Sequence, residues 1–233
     1  MTTQNTVVLI PGLLCDRFVW EPVLAALQGR ISIELADLST QDSLTKMAQD
    51  TLAAFPGTLF VAGHSMGARV ALEMARLAPA RVQRLALLDT GIHPLKEDER
   101  EKRAEIVAYA HAQGMAALAA RWLPGMVHPD RTEDRTLMAD LTAMVERMDP
   151  DLHERQIHAL VTRPDASKYV AGITCPTLLA VGRQDQWSPV AQHEEMLRRM
   201  PNATLTVIED AGHFAPVEQP AAAAELLKNW ALG

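Results

Sequence analysis

The sequence has 233 residues, of which 48% are hydrophobic and 22% are charged, a composition typical of one globular domain. The formal net charge of −7 argues against a nucleic-acid partner, because phosphate binding relies on clustered Lys and Arg. No apolar run approaches the roughly 18 residues that span a bilayer, and residues 1–5 lack a signal-peptide pattern. We therefore expect a cytoplasmic protein without a membrane span.

The first half of the chain alternates short apolar runs with helical patterns. Strands are predicted at TVVLIP (6–11), ISIELADL (31–38), TLFVAG (58–63) and VQRLALLDT (82–90). Helices are predicted at FVWEPVLAAL (18–27), SLTKMAQDTLAAF (43–55) and from Met66 onward. Continuous apolar strands joined by helices predict an α/β fold, with a mostly parallel sheet flanked by helices.

The alternation stops between residues 92 and 165, where only helical patterns occur. They are EREKRAEIVAYAHA, GMAALAARWL, DRTLMADLTAMVERM and LHERQIHALVT. Strands resume with PTLLAVG (176–182) and ATLTVIED (203–210), each followed by a helical pattern. We therefore predict a core of residues 1–91 and 166–233, with residues 92–165 inserted as a helical lid. The mixed charge run KEDEREKR (96–103) is predicted to be a solvated helix face.

The two cysteines, Cys15 and Cys175, lie far apart and form neither a CxxC motif nor a disulfide framework. The histidines are scattered through the chain, which gives little support to a zinc site. We expect no metal and no cofactor, and free thiols in a reducing compartment.

The motif GHSMG, residues 63–67, lies between the strand pattern TLFVA and the helical pattern that follows it. A Gly-x-Ser-x-Gly sequence between a strand and a helix is the arrangement of a nucleophile elbow. A serine hydroxyl is a weak nucleophile, so it needs a base, an acid that orients the base, and donors for the oxyanion. Ser65 is therefore the candidate nucleophile, provided that the rest of the chain supplies those groups.

On these features the chain resembles the α/β-hydrolase fold superfamily, and in particular its small lid-bearing serine esterases. The resemblance covers nearly the whole chain and implies a catalytic acid after a later strand and a histidine near the C-terminus. The segment GRQD places Asp185 after one strand, and AGHF places His213 after the next. Asp89, which follows the preceding strand, remains an alternative acid.

The resemblance also implies an oxyanion hole and a substrate pocket. The oxyanion donors are expected to be the backbone N–H groups of Met66 and Leu13, although Pro11 stands where many relatives carry a histidine. His64 is expected to pack beside the elbow. The residues expected to line the pocket are Leu14, Trp122, Met126, Met144, Trp187 and Phe214.

The activity implied is cofactor-free hydrolysis of a small carboxylic ester through an acyl-enzyme on Ser65. Thioesters, lactones and activated amides share this acyl chemistry and are not distinguished by the sequence. Two other enzymatic functions stay open, namely C–C bond hydrolysis and a non-hydrolytic lyase reaction by the same triad. A small-molecule receptor that retains the triad is the alternative from another class.

Overall fold

The computed structural model describes residues 5–233. Residues 1–4 lie outside the described residues. They include the first four residues of the predicted core and four of the five residues that lack a signal-peptide pattern.

Six strands form one sheet in the order β2-β1-β3-β4-β5-β6, and every neighbouring pair is parallel. The strands are β1 (Thr6–Ile10), β2 (Ser32–Leu35), β3 (Leu59–His64), β4 (Val82–Leu88), β5 (Thr177–Gly182) and β6 (Ala203–Ile208). The predicted α/β fold class is confirmed.

Nine α-helices connect or cover these strands within the described residues. They are α1 (Glu21–Leu27), α2 (Leu44–Ala54), α3 (Met66–Leu77), α4 (Glu99–Trp122), α5 (Arg135–Glu146), α6 (Pro150–Val161), α7 (Val190–Arg199), α8 (Ala215–Glu218) and α9 (Pro220–Leu232). The first predicted helix is divided, because a 3-10 turn (Arg17–Trp20) precedes α1. No helix among residues 5–233 is both long and apolar enough to cross a membrane.

The sheet is buried on both faces because its strands send alternate apolar side chains to opposite sides. Val8 and Ile10 pack into the cluster that includes α2, α3 and α7, whereas Val7 and Leu9 pack against α1 and α9. This three-layer arrangement explains why the strands read as continuous apolar runs in the sequence.

Helices α4, α5 and α6 lie between β4 and β5 in the chain. Apolar residues of α4 and α5 form a third cluster with Leu14 and Phe214, which come from loops that follow β1 and β6, whereas most buried apolar residues of α6 belong to the first cluster. Gly114 interrupts α4 with a φ of +82°, and its position agrees with the boundary between the two helical patterns of that segment. Helices α4 and α5 thus pack against loops at the carboxyl ends of the strands, where parallel α/β sheets bind ligands.

Candidate active site

Ser65 occupies a strained turn between β3 and α3. Its φ of 54° and ψ of −115° lie in a region that residues with a side chain rarely adopt. The Ser65 amide donates a hydrogen bond of 2.9 Å to the carbonyl oxygen of Leu88, which ties the turn to the end of β4. The structure therefore has the strand, strained serine and helix that the motif predicts.

The two glycines of the motif are required by close backbone packing. A Cβ on Gly63 would lie 2.3 Å from the carbonyl oxygen of Gly67, and a Cβ on Gly67 would lie 2.3 Å from that of Ile10. Real Cβ atoms do not come this close to backbone atoms, so any side chain at either position would push α3 away from β1 or distort the turn.

Ser65, His213 and Asp185 form a continuous chain of hydrogen bonds. The distance from His213 Nε2 to Ser65 Oγ is 2.8 Å, and that from His213 Nδ1 to Asp185 Oδ2 is 2.9 Å. Because the Asp185 carboxylate is an acceptor, Nδ1 carries the proton of the neutral imidazole and Nε2 faces the serine hydroxyl with its lone pair. This arrangement allows His213 to accept the proton of Ser65.

Asp185 and Asp89 differ in their partners. Asp185 Oδ1 accepts hydrogen bonds of 2.8 Å from the amides of Trp187 and Ser188, which leaves Oδ2 for His213. Asp89 Oδ1 instead accepts from the Gly182 amide at 2.9 Å, and its Oδ2 has no hydrogen-bond partner within residues 5–233. The geometry therefore places Asp185, and not Asp89, on the histidine.

The two aspartates also differ in protonation. Burial raises the pKa of Asp185, but the charge and hydrogen bond of His213 outweigh it, so the pKa is lowered overall. For Asp89, burial and then the charge of Asp185 raise the pKa well above its ordinary value. The environment thus favours the ionised form of Asp185 and the protonated form of Asp89.

His213 lies in a loop that three buried groups hold in place. Its amide donates to the Met126 carbonyl oxygen at 2.7 Å, and its own carbonyl accepts from His64 Nε2 at 2.7 Å. The Glu218 carboxylate accepts from the amides of Gly212 and Phe214 at 2.9 and 3.2 Å. Burial, and then the charge of His213, lower the pKa of His64 to about 3, so its ring is neutral.

Sequence reasoning missed Glu218 and gave His64 only a packing role. A glutamate five residues after a candidate histidine carries no signal by itself, because only the folded loop turns its carboxylate back toward the two amides. His64 does pack beside the elbow, with its ring stacked on Phe214 at a centroid distance of 5.6 Å. It also positions the histidine loop through its hydrogen bond.

Leu13 and Met66 are the two residues whose amides were predicted to form the oxyanion hole. Both residues line the same cavity as Ser65, and neither amide donates to an acceptor in the part of the chain that the structure describes. The next amide, that of Leu14, donates to Gln156 Oε1 of α6 at 2.9 Å. Leu14 has a φ of 55°, so this loop is held in an unusual conformation by a residue of the helical insertion.

A cavity of about 600 Å³ opens beside Ser65 and His213. Five of the six residues predicted for the pocket line it, namely Leu14, Trp122, Met126, Trp187 and Phe214. Met144 does not line it, since its side chain is fully buried in the third apolar cluster. The helical pattern of α5 identifies Met144 as apolar but not the direction in which it points.

The charge run of residues 96–103 is only in part a solvated face. Lys96 and Lys102 are exposed, as predicted, although both also line the cavity. Glu99 and Arg103 line it too but are half-buried. The mixed charges at helical spacing did not reveal this, because Arg163, which pairs with Glu99, lies 64 residues further along the chain.

Two other groups of reactive side chains take no part in the hydrogen-bonded triad, although Cys15 lines the cavity. Burial raises the pKa of Cys15, whose thiol donates to the Leu13 carbonyl oxygen at 3.3 Å, so it stays protonated near the cavity. Among the described residues, His111, Asp151 and Glu154 form the one group whose possible ligand atoms lie within 4.8 Å of each other. All three are exposed and outside the cavity, and the predicted absence of a metal stays a prediction.

Comparisons with known proteins agree with this fold. The model of the alpha/beta hydrolase family matches residues 7–226. RutD of Pseudomonas syringae, a protein named as a carbamate hydrolase, is 30% identical over 68% of this chain and 61% of its own length. The pimeloyl-[acyl-carrier protein] methyl ester esterase of Nitrosomonas europaea is 25% identical over 91% of this chain and 90% of its own length.

A solved structure shows the same architecture. The thermophilic esterase of Thermogutta terrifontis superposes with a TM-score of 0.89, covering 98% of this chain and 90% of the esterase at 24% identity. The fold, together with a strained serine after β3, is that of a hydrolase of the α/β class. The chain belongs to the alpha/beta hydrolase family.

Proposed function

We propose that this protein hydrolyses a small carboxylic ester through an acyl-enzyme formed on Ser65. The observation that carries the proposal is the hydrogen-bonded chain from Asp185 through His213 to Ser65, which reaches the wall of the cavity. The three hydrogen-bonded residues follow the ends of three different strands. An aspartate that binds one nitrogen of a histidine, with a serine on the other nitrogen, suits general-base activation of the serine.

In the first half of the reaction His213 Nε2 takes the hydroxyl proton as Ser65 Oγ attacks the ester carbonyl carbon. Asp185 holds the imidazole in the Nδ1–H tautomer and stabilises the imidazolium that forms. The tetrahedral intermediate then collapses, the bond to the alcohol oxygen breaks, and His213 returns the proton to that oxygen. The alcohol leaves, and the acyl group remains on Ser65.

The amides of Leu13 and Met66 would stabilise the negative charge on the carbonyl oxygen. Two features support this role, namely their position on the cavity wall and their lack of an acceptor within residues 5–233. Met66 is also the first residue of α3, whose N-terminal end favours negative charge. A missing donor of this kind costs roughly 3 to 4 kcal/mol of transition-state stabilisation.

In the second half of the reaction a water molecule replaces the alcohol. His213 accepts one of its protons as the hydroxide attacks the acyl carbon, and then returns that proton to Ser65 Oγ as the ester bond to the enzyme breaks. The products are a carboxylic acid and an alcohol, and the enzyme returns to its starting state without a cofactor.

The helical insertion is proposed to act as a lid over this site, within residues 92–165. Trp122 and Met126 of this segment line the cavity, and Gln156 holds the loop that carries Leu13 and Leu14. The names of the relatives support acyl chemistry, because carbamates and methyl esters are both cleaved at a carbonyl carbon that bears a heteroatom leaving group.

The proposal is tested with Ser65→Ala and with a matched control, Ser32→Ala, at an exposed serine of β2. The wild type and the control should hydrolyse p-nitrophenyl acetate and bind a fluorophosphonate probe covalently. Ser65→Ala should lose both labelling and all but a residual activity, a decrease of about 10⁶-fold in kcat. Hydrolysis by Ser65→Ala at a rate close to the wild type would rule out the acyl-enzyme on Ser65.

A further inference from the structure

The cavity beside Ser65 carries an excess of positive charge, although the whole chain is acidic. Six cationic side chains and two carboxylates line it, whereas the formal charge of the chain is −7. The cationic residues are Arg69, Lys96, Lys102, Arg103, Arg121 and Arg163, and the carboxylates are Asp98 and Glu99. A cleft of one sign in a protein of the other sign favours ligands of opposite charge.

The arginines of the cavity differ in whether they have a carboxylate partner. Glu99 accepts from Arg103 Nε at 2.8 Å and from both terminal nitrogens of Arg163 at 2.8 and 2.7 Å. Arg69 makes no ion pair with any carboxylate of residues 5–233, and its one hydrogen bond is to the His93 carbonyl oxygen at 3.4 Å. Its guanidinium therefore retains donors without a partner among residues 5–233, and Arg69 lines the cavity.

The effects of burial and of neighbouring cations on the pKa of Arg69 outweigh the opposing effect of the Glu99 charge. Burial, and then the charge of Arg163, lower the pKa of Arg69 to about 9, so it remains charged at neutral pH. The pKa of the neighbouring His93 is lowered to about 4 by burial and by the charges of Arg69 and Arg163. A bound anion would relieve this unfavourable arrangement.

Arg69 lies close to the proposed chemistry. It is four residues after Ser65 at the start of α3, and four residues of helix advance about 6 Å along the axis. Both residues line the same cavity. An anionic group held by Arg69 and a carbonyl carbon placed at Ser65 would therefore occupy the same cavity.

We propose that Arg69 binds an ionised carboxylate of the substrate, so that the preferred esters carry a second, anionic carboxyl group. This inference rests on the proposed function, because it names the substrate class of that site. A carboxylate suits the site because its two oxygens match the planar fork of one guanidinium. Glu99 already shows that a carboxylate fits among the arginines of this cavity.

The test compares anionic and neutral esters of similar size. Monomethyl glutarate carries the carboxylate in the acyl part and 4-acetoxybutyrate carries it in the alcohol part; dimethyl glutarate and methyl 4-acetoxybutyrate are their neutral counterparts. Arg69→Gln should lower kcat/KM for the preferred anionic ester by about 10- to 100-fold, as expected for a charge-assisted hydrogen bond. Hydrolysis of the neutral esters should change by less than about threefold.

Two controls accompany this comparison. Arg198→Gln removes the same charge from the exposed end of α7 and should leave both classes of ester unchanged. Arg69→Lys keeps the charge but not the planar fork, and should fall between the wild type and Arg69→Gln. Thermal unfolding of each variant shows whether it is folded, and removal of a cation that faces Arg163 should not lower the stability.

A second measurement does not depend on finding an ester that carries the carboxylate in the preferred position. Glutarate should inhibit the hydrolysis of p-nitrophenyl acetate competitively in the wild type, with an inhibition constant about tenfold higher in Arg69→Gln. Inorganic phosphate is the competing anion, and stronger inhibition by phosphate than by glutarate that depends on Arg69 would overturn the carboxylate assignment.

The remaining outcomes separate this inference from the proposed function. If neutral esters are hydrolysed, but anionic esters are not preferred and Arg69→Gln affects both equally, the carboxylate site is wrong and the esterase stands. If no ester is hydrolysed, the proposed function fails, and calorimetric binding of glutarate to the wild type and Arg69→Gln still decides the site. Equal binding of glutarate by the two proteins would then overturn it.

Discussion

At the residue scale, the site contains two buried aspartates whose pKa values are shifted in opposite directions. Asp185 receives two amide hydrogen bonds and faces His213, and its pKa is lowered. Asp89 receives one amide hydrogen bond, and burial beside the charge of Asp185 raises its pKa. Two carboxylates in one low-dielectric region do not readily ionise together, so the one with more donors takes the charge.

This difference predicts unequal effects of two similar substitutions. Asp185→Asn places an amide against His213 Nδ1 and favours the wrong imidazole tautomer, so kcat should fall by about 10⁴-fold. Asp89→Asn keeps an oxygen that accepts from the Gly182 amide and replaces a carboxyl group whose protonated form is favoured by burial. Its kcat should stay within about threefold of the wild type.

Steady-state kinetics with p-nitrophenyl acetate measures both effects on one substrate. A fall in kcat for Asp89→Asn as large as that for Asp185→Asn would assign a role to Asp89 that the hydrogen bonds do not give it.

At the element scale, the position of α3 against β1 determines the distance between Ser65 and the loop that carries Leu13. Gly67 allows the first turn of α3 to touch the end of β1, because a Cβ there would lie 2.3 Å from the Ile10 carbonyl oxygen and 2.5 Å from that of Pro11. The two proposed oxyanion donors come from the two elements that meet at this contact.

Gly67→Ala should therefore damage stability and catalysis together. The added methyl group must displace backbone, which costs about 1 to 3 kcal/mol of unfolding free energy. A displacement of the oxyanion loop by about 1 Å would also lower kcat by about 100-fold. Urea unfolding and steady-state kinetics measure the two effects on one preparation.

Gly172→Ala is the matched control for this substitution. A Cβ at Gly172 has no atom within 4 Å, and its φ is not positive. The control should be neutral or more stable by up to about 1 kcal/mol, because alanine restricts the unfolded chain. Equal behaviour of the two variants would mean that the contact of α3 with β1 does not control the site.

At the scale of the whole molecule, the sequence predicts what depends on periodicity and chain order. Apolar runs located the end of β5 at Gly182 and placed the ends of β3 and β6 within two residues of His64 and Ile208, and the reactive residues follow these ends. Contacts between distant segments could not be predicted from periodicity and chain order. The hydrogen bond that the Leu14 amide donates to Gln156, for example, joins residues 142 positions apart. The position of Arg103 on the cavity wall was not predicted for the same reason, because its partner Glu99 also binds the distant Arg163.

The buried acidic groups also make the stability of the molecule depend on pH in two opposite ways. Burial raises the pKa of Glu99, but its hydrogen bonds to Arg163 and Arg103 lower it to about 2, so its contribution is lost as pH falls through that value. Asp89 has a raised pKa, so its contribution is complete below the unfolded value of about 4 and is lost as pH rises through the folded one.

Asp89→Asn should therefore flatten the alkaline side of the stability profile. Between about pH 4 and the raised pKa, the folded wild type holds one proton more than the unfolded chain at this position. Each pH unit should then favour unfolding of the wild type by about tenfold relative to the variant.

Urea unfolding of both proteins from about pH 5 to about pH 9 gives this ratio, and Glu99→Gln should leave this range unchanged, because the contribution of Glu99 changes only below about pH 4. The comparison uses slopes, so a constant loss of stability in Asp89→Asn does not affect it. Parallel profiles of the wild type and Asp89→Asn would show that Asp89 is ionised in the folded protein, and the assignment of the single charge to Asp185 would be wrong.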